Sequence, residues 1–374
     1  MNAREAYIGL NMITQLGPVR IRALVEYLGS PEAVFQASHG DLCGAKGVGA
    51  KLADAVCEQR GKIRVDREIA AAEALGARII SWVDEDYPEP LRTIYDPPVA
   101  LYVKGTLQKK DRHSLALVGS RRCTHYGLRT ADRFAYQLAK VGYTVNSGLA
   151  RGIDTAAHQG ALKGGGRTLA VLGGALDRLY PQENRKLAEE ISKQGAVLSE
   201  FPLGREPDKT TFPYRNRVVS GLSLGVLVVE SPRKSGSLIT ADMALEQGRQ
   251  VFAVPGRIDE PASQGCHRLI RQGAKLVETL DDILEEFEQL LPSNVLQAHR
   301  EAQKRPDVTL TAEEARVVAA LGAGPLDMDA LARSCSMTSA TLSGLMLGLE
   351  MKRVVRPLPG RRIELCVHVD DIRG

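Results

Sequence analysis

Residues 114–127 read SLALVGSRRCTHYG. An apolar run closes on a glycine and a serine, two arginines follow, and the helix-patterned stretch RTADRFAYQLAKVG (129–142) comes next. The same grammar recurs in YTVNSG (143–148), RTLAVLGG (167–174), AVLSEFP (196–202), GVLVVES (225–231), QVFAVPG (250–256) and KLVET (275–279). Most of these runs are rich in Val and Leu without polar alternation, as strands buried on both faces of a parallel sheet are. Amphipathic stretches such as SLITADMALEQGRQ (237–250) lie between them. Strand and helix alternating at this spacing predict a doubly wound α/β domain. Upstream, residues 78–105 predict two further strands joined by proline-rich turns.

Outward from this centre the chain changes character. Residues 1–75 are helical in pattern, and GAKGVGAKLADAV (44–56) has a helix–Gly-x-Gly–helix layout. Gly47 and Gly49 permit a tight turn whose amides can face a phosphate. That layout suits a DNA-binding helix-hairpin-helix or, equally, a protein-interaction module. Residues 292–308 are polar with prolines near both ends and predict a linker. Residues 309–374 predict three short helices and a Gly-tipped hairpin, a winged helix. Its third helix, from about Thr338 to Glu350, has no Lys or Arg. Major-groove binding without a cation there would be weak, so a protein-contact or structural role is expected for this domain.

The totals narrow the function classes. At 374 residues, 44% hydrophobic and 25% charged, the chain fits a soluble protein of two or three domains. No run of about 18 apolar residues suggests a membrane span, and the N-terminus lacks signal-peptide order. Cys43, Cys57, Cys123, Cys266, Cys335 and Cys366 are scattered without a C-x-x-C pair, as reduced cytoplasmic thiols are. Net charge is only +4, yet Ser114–Leu284 holds 23 Lys+Arg against 17 Asp+Glu. A basic central module suits an anionic partner, although a solvated surface gives the same count.

In doubly wound sheets ligands sit outside the carboxyl ends of the strands. There Gly119 admits a ligand to the backbone, Ser120 offers a hydroxyl, and Arg121 can hold a phosphate through two donors. This is not G-x-G-x-x-G, so no dinucleotide cofactor is expected. Gly173 and Gly174 end another strand, and Ser235, Gly236 and Ser237 lead into a helix N-terminus that favours anions. In SGLARGIDTAAHQGAL (147–162), Asp154 and His158 lie four apart, but no third ligand or nucleophile accompanies them. Asp154 is read as a partner of helix amides and His158 as a satisfied core group, leaving Ser147, Gly148 and Gly152 as rim. In DKTTFPYRNRVVSGLS (208–223), Lys209, Arg215 and Arg217 flank Phe212, with Asn216 between the arginines. Cations beside an aromatic are what single-stranded nucleic acid requires. The competing reading makes Phe212 core and pairs the arginines with Glu200 or Glu230.

The motifs YPEPLRTIYDPPVALYVKG, VGSRRCTHYG, SGLARGIDTAAHQGAL, LGGALDRLYP, LSEFPLG, FPYRNRVVSGLS, VVESPRKSGSLITADMALEQGR, VFAVPG and GCHRLIRQGAKLV follow in order along the chain. Together they resemble the bacterial DNA-processing protein A (DprA/Smf) family over nearly the whole length. The resemblance implies an extended Rossmann-like domain, residues 78–291, that binds single-stranded DNA, forms a homodimer and helps load RecA recombinase in natural transformation. It implies that Arg121 supplies an essential cation and that Phe212, Arg215, Asn216 and Arg217 line the DNA pocket. It implies no enzymatic turnover and makes the flanking domains variable additions. The rival is a Rossmann-like enzyme cleaving nucleoside monophosphates. Such enzymes carry P-G-G-x-G-T-x-x-E, whereas here Met243 stands three residues after Thr240, where the catalytic glutamate would be.

Overall fold

The computed structural model describes residues 1–290, 310–322, 324–352, 354–358 and 362–365, and the chain separates into two compact units, Met1–Val295 and Leu296–Gly374. The linker expected at 292–308 lies outside the described residues.

All nine strands expected between 78 and 279 form one sheet: β1 (Ala77–Ser81), β2 (Ala100–Gly105), β3 (Ser114–Val118), β4 (Thr144–Ser147), β5 (Thr168–Val171), β6 (Ala196–Ser199), β7 (Gly225–Val228), β8 (Gln250–Ala253) and β9 (Lys275–Leu276). Their order is β1-β2-β6-β5-β4-β3-β7-β8-β9. From β6 to β9 every pairing is parallel, while β2 runs antiparallel to both β6 and β1. The non-alternating runs have a simple cause, because every residue of β3 to β7 is buried.

Before the sheet come α1 (Ala3–Asn11), α2 (Pro18–Leu28), α3 (Pro31–Gln36), α4 (His39–Gly44), α5 (Ala50–Arg60) and α6 (Val65–Ala74). The connections carry α7 (Glu89–Arg92), α8 (His125–Lys140), α9 (Ile153–Lys163), α10 (Arg185–Gln194), α11 (Thr211–Gly221), α12 (Gly236–Glu246), α13 (Gln264–Arg271) and α14 (Asp281–Leu284). Alternate strand residues face opposite layers. Leu169, Val171 and Leu198 pack with Val218 and Val219 of α11 and Leu238 of α12, whereas Ala170 and Val197 pack with Leu187 and Ile191 of α10.

The N-terminal helices have their own core, including Leu10, Ile21, Leu24, Leu42 and Val56, but share the first unit. Ile8 and Val65 pack on Ile79 and Tyr102 of the two antiparallel strands. The Gly-x-Gly turn joins α4 to α5, with Gly47 at φ 78° and Gly49 as the N-cap of α5.

In the second unit, helices span Ala312–Leu321, Met328–Cys335 and Ser339–Met351, and a small antiparallel sheet orders β10 (Leu326–Asp327), β12 (Arg362–Leu365) and β11 (Val355–Leu358). This is a winged helix whose third helix carries no Lys or Arg. The glycine at its hairpin tip, Gly360, lies outside the described residues. Among the described residues no helix is long and apolar enough to cross a membrane.

Candidate functional site

The chain leaves β3 toward β4 on one side of the sheet, and the strands after β7 lie on the other, so the order reverses between β3 and β7. Loops leaving neighbouring strands in opposite directions open a crevice there. It measures about 760 Å³ and is walled by the loops after β3, β4, β7 and β8 together with the start of α11. Of the residues singled out in the sequence, Gly119, Ser120, Arg121, Gly148, Asp154, Lys209, Phe212, Arg215, Asn216, Ser235, Gly236 and Ser237 line it.

At the mouth, Arg121, Arg122 and Lys209 are exposed, and among the described residues none of the three takes part in an ion pair. The Arg121 guanidinium carbon stands 4.8 Å from the centre of the half-buried Phe212 ring, a cation–π distance. The β3–α8 loop is held from beneath: Ser120 N donates to Glu230 O at 2.7 Å, and Thr124 N donates to the Glu230 carboxylate at 2.8 Å. Across the crevice Ser235 caps α12 by accepting from Ser237 N, while Ser237 Oγ contacts Ser231 Oγ at 3.0 Å.

The floor is different. Arg215 is 4% exposed, and its Nη1 donates to Gly148 O at 2.6 Å and to Val171 O. Burial lowers its pKa to about 10, with Asp154 acting the other way. Asp154 accepts from Gly148 N and Ala150 N at 3.1 and 3.3 Å at the start of α9. Burial raises its carboxyl pKa, and Arg215 opposes that rise. His158 is fully buried with Nδ1 2.6 Å from Thr168 Oγ1, whose hydroxyl donates to Val145 O. The imidazole therefore donates through Nδ1, and burial lowers its pKa to about 3. Asp154 has the helix amides expected of it, whereas His158 is a buried core group satisfied only through Nδ1, its buried Nε2 having no hydrogen-bond partner among the described residues.

Four expectations need correction. Arg217 does not face the crevice: it is 3% exposed and binds Glu200 and Asp96, the latter at 2.9 Å. For this arginine the competing reading, pairing with Glu200, holds. Ser147 is not on the rim, because it is fully buried and its hydroxyl donates to Leu117 O at 2.6 Å. Gly173 and Gly174 do not line the crevice either. A Cβ at Gly173 would lie 2.6 Å from the Phe212 ring, and one at Gly174 would lie 2.9 Å from Pro207. The glycines at 119 and 148 likewise admit the protein's own atoms. A Cβ at Gly148 would lie 2.5 Å from the Arg215 guanidinium, and one at Gly119 the same distance from Ile153. Only at Gly236, of these rim glycines, does the Cβ direction open on free space.

Sequence reasoning missed Arg122 and Glu260 as wall residues. Arg122 stood beside Arg121 in the quoted loop, so its signal was present. Glu260 lies past a strand end in an acidic stretch that resembles any solvated loop. Among the described residues no group of three His, Cys, Asp or Glu side chains could hold a metal ion.

Residues 78–288 match the family model described as DNA recombination-mediator protein A. Residues 301–361 match the DprA winged helix domain, and 8–62 a SAM-like helix-hairpin-helix tandem. Protein Smf of Synechocystis sp. is 31% identical over 394 residues, covering 97% of this chain and 99% of its own. The structure of DNA processing protein A from Streptococcus pneumoniae is similar with a TM-score of 0.67 at 38% identity, over 76% of this chain and 98% of that one. That of DNA processing protein A from Helicobacter pylori, described for its single-stranded DNA binding mode, gives 0.52 at 30% identity, over 58% and 97%. With that match over the sheet domain and the similarity to Smf along almost the whole length, this chain belongs to the DprA/Smf family.

Proposed function

We propose that the crevice between the β3 and β7 ends binds single-stranded DNA. The observation that carries the reading is the mouth itself, where three exposed cations, none in an ion pair among the described residues, share the crevice wall with one half-buried phenyl ring. Arg121, Arg122 and Lys209 neutralise phosphates, and Phe212 offers a face to a base that duplex DNA would keep stacked. Ser235, Gly236 and Ser237 present the amides of the α12 N-terminus to the backbone. Asn216 lies at the same wall, with its amide donating to Gly236 O at 3.3 Å. Arg215 acts from below by fixing Gly148 and the β5 end, and so positions the floor without reaching a phosphate. The relative from Helicobacter pylori, described as binding single-stranded DNA, supports the reading.

The finer role we assign is that of a mediator, not an enzyme: the protein holds incoming single strands and passes them to RecA recombinase in transformation. Family membership supports this assignment. We take the binding module as residues 78–291, flanked by the helical domain 1–75, the linker 292–308 and the winged helix 309–374. We further propose a homodimer through this module, in the cytoplasm. Ile258, 90% exposed, and Leu276, 40% exposed on the short edge strand β9, supply an apolar surface for it. Binding of a labelled oligonucleotide, single-stranded against duplex over a salt series, tests the central claim. Preference for the single strand is expected, and equal affinity for both overturns it.

A further inference from the structure

The crevice has two ends, and they differ chemically. On the β8 side the wall includes Glu260, whose carboxylate caps Ala262 N. An acid there repels phosphate. On the β5 side a narrow cleft lined by Arg121, Gly148, Ala150, Arg151, Tyr180 and Phe212 continues the crevice past its mouth.

Tyr180 is 42% exposed in the loop after β5. Its ring centre lies 5.9 Å from that of Phe212, with the planes 55° apart. The Arg151 guanidinium stands 5.8 Å from the Tyr180 ring and is itself clamped by Glu183, at 2.6 and 2.8 Å. Arg121, Phe212, Tyr180 and Arg151 thus form one row of alternating cation and ring running out of the crevice. The Arg151–Glu183 pair cancels its own charge, so what the outer end of the row offers is a braced aromatic surface.

Resting on the single-strand reading above, we infer that Tyr180 is a second base-stacking platform. It receives the nucleotide that follows the one on Phe212, and so sets the direction in which the strand leaves: toward β5 and away from Glu260. A base on a braced ring has less side-chain freedom to lose on stacking than one on a loose ring. The contact is to a π-face and not to a phosphate, so it is indifferent to salt and to base identity.

The test uses the full chain and labelled oligo-dT strands of increasing length. With wild-type protein, affinity rises in a step once the strand is long enough to pass Phe212. Tyr180→Ala abolishes that step, weakening the longer strands about tenfold, and leaves both the shortest strands and the salt slope unaltered. Tyr180→Phe retains the step. On the unmodified protein, photocrosslinking with 5-iodouracil placed along the strand yields Tyr180 adducts at one position, adjacent to the position that gives Phe212 adducts. Wild-type affinity of a folded Tyr180→Ala variant at every length, or the absence of Tyr180 adducts where Phe212 adducts form, overturns the inference while sparing the crevice. If Arg121→Ala and Phe212→Ala also bind normally, it is the single-strand reading itself that fails.

Discussion

The mouth of the crevice and the side of α11 turned away from it hold the same residue type in opposite circumstances. Arg121 at the mouth is exposed with its guanidinium over the Phe212 ring, while Arg217 on the far side of α11 is 3% exposed between two carboxylates. A guanidinium in water keeps its full charge for a partner from outside. A buried one between two carboxylates is already matched by the fold's own charges, and losing it strands the acids it neutralised. On the proposed function, the arginines of these motifs therefore divide into those offered to a ligand and those that hold the fold.

The division can be broken most decisively at Arg217. Arg217→Ala leaves Glu200 and Asp96 without their cation, and the expected loss is about 3–5 kcal/mol of folding stability. Chemical denaturation measures it, and a variant as stable as wild type would place Arg217 among the binding residues after all.

The floor also predicts a pH effect. Free histidine titrates near 6.5, and burial lowers the pKa of His158 to about 3. Below 6.5 the unfolded chain takes up a proton that the folded one refuses, so stability falls as pH drops from 6.5 toward 3. The slope is about 1.4 kcal/mol per pH unit for this single proton, or about 2 kcal/mol at pH 5. His158→Gln should flatten the denaturation profile by that amount relative to wild type, and parallel profiles would contradict the assignment.

Arg121→Ala sharpens the comparison from the other side. Single-strand affinity should fall about tenfold, roughly 1.4 kcal/mol, and the logarithmic salt slope should shrink by about 0.7. The melting temperature should hold. A stability loss without a change in slope would move Arg121 to the floor.

The smallest effect is expected from the winged helix. Deleting residues 309–374 removes a third helix without Lys or Arg, so single-strand affinity should change less than tenfold, about 1.4 kcal/mol. A greater loss in a folded protein would mean that the domain binds DNA by another surface.

The central strands β3 to β7 were legible because burial on both faces leaves an unbroken apolar run, a pattern that helices and loops do not share here. Lys209 and Phe212 were legible as residues at the mouth of a strand-end pocket. Arg215 and Arg217 were not separable, since both sit on α11 two residues apart, where successive positions turn about 100° and face different sides. A motif gives that spacing but not the orientation of the helix over the sheet. The glycines misled for a related reason. A sequence shows that a Cβ is missing at 148 and 173, but not whether a ligand or the chain's own Arg215 and Phe212 fills the space.

The pairing of β3 with β7 has a consequence for the life of the chain before it is complete. β3 ends at Val118, and its neighbour across the crevice begins only at Gly225. At about 5–20 residues per second of synthesis, roughly 5–20 s pass between the appearance of the two edges. A nascent chain that already displays Arg121 has neither α11 nor the α12 amides, so it owns the charge without the binding surface. On the proposed function, the site is complete only once this contact, distant in sequence, has closed, and a partly made chain would not compete for single strands.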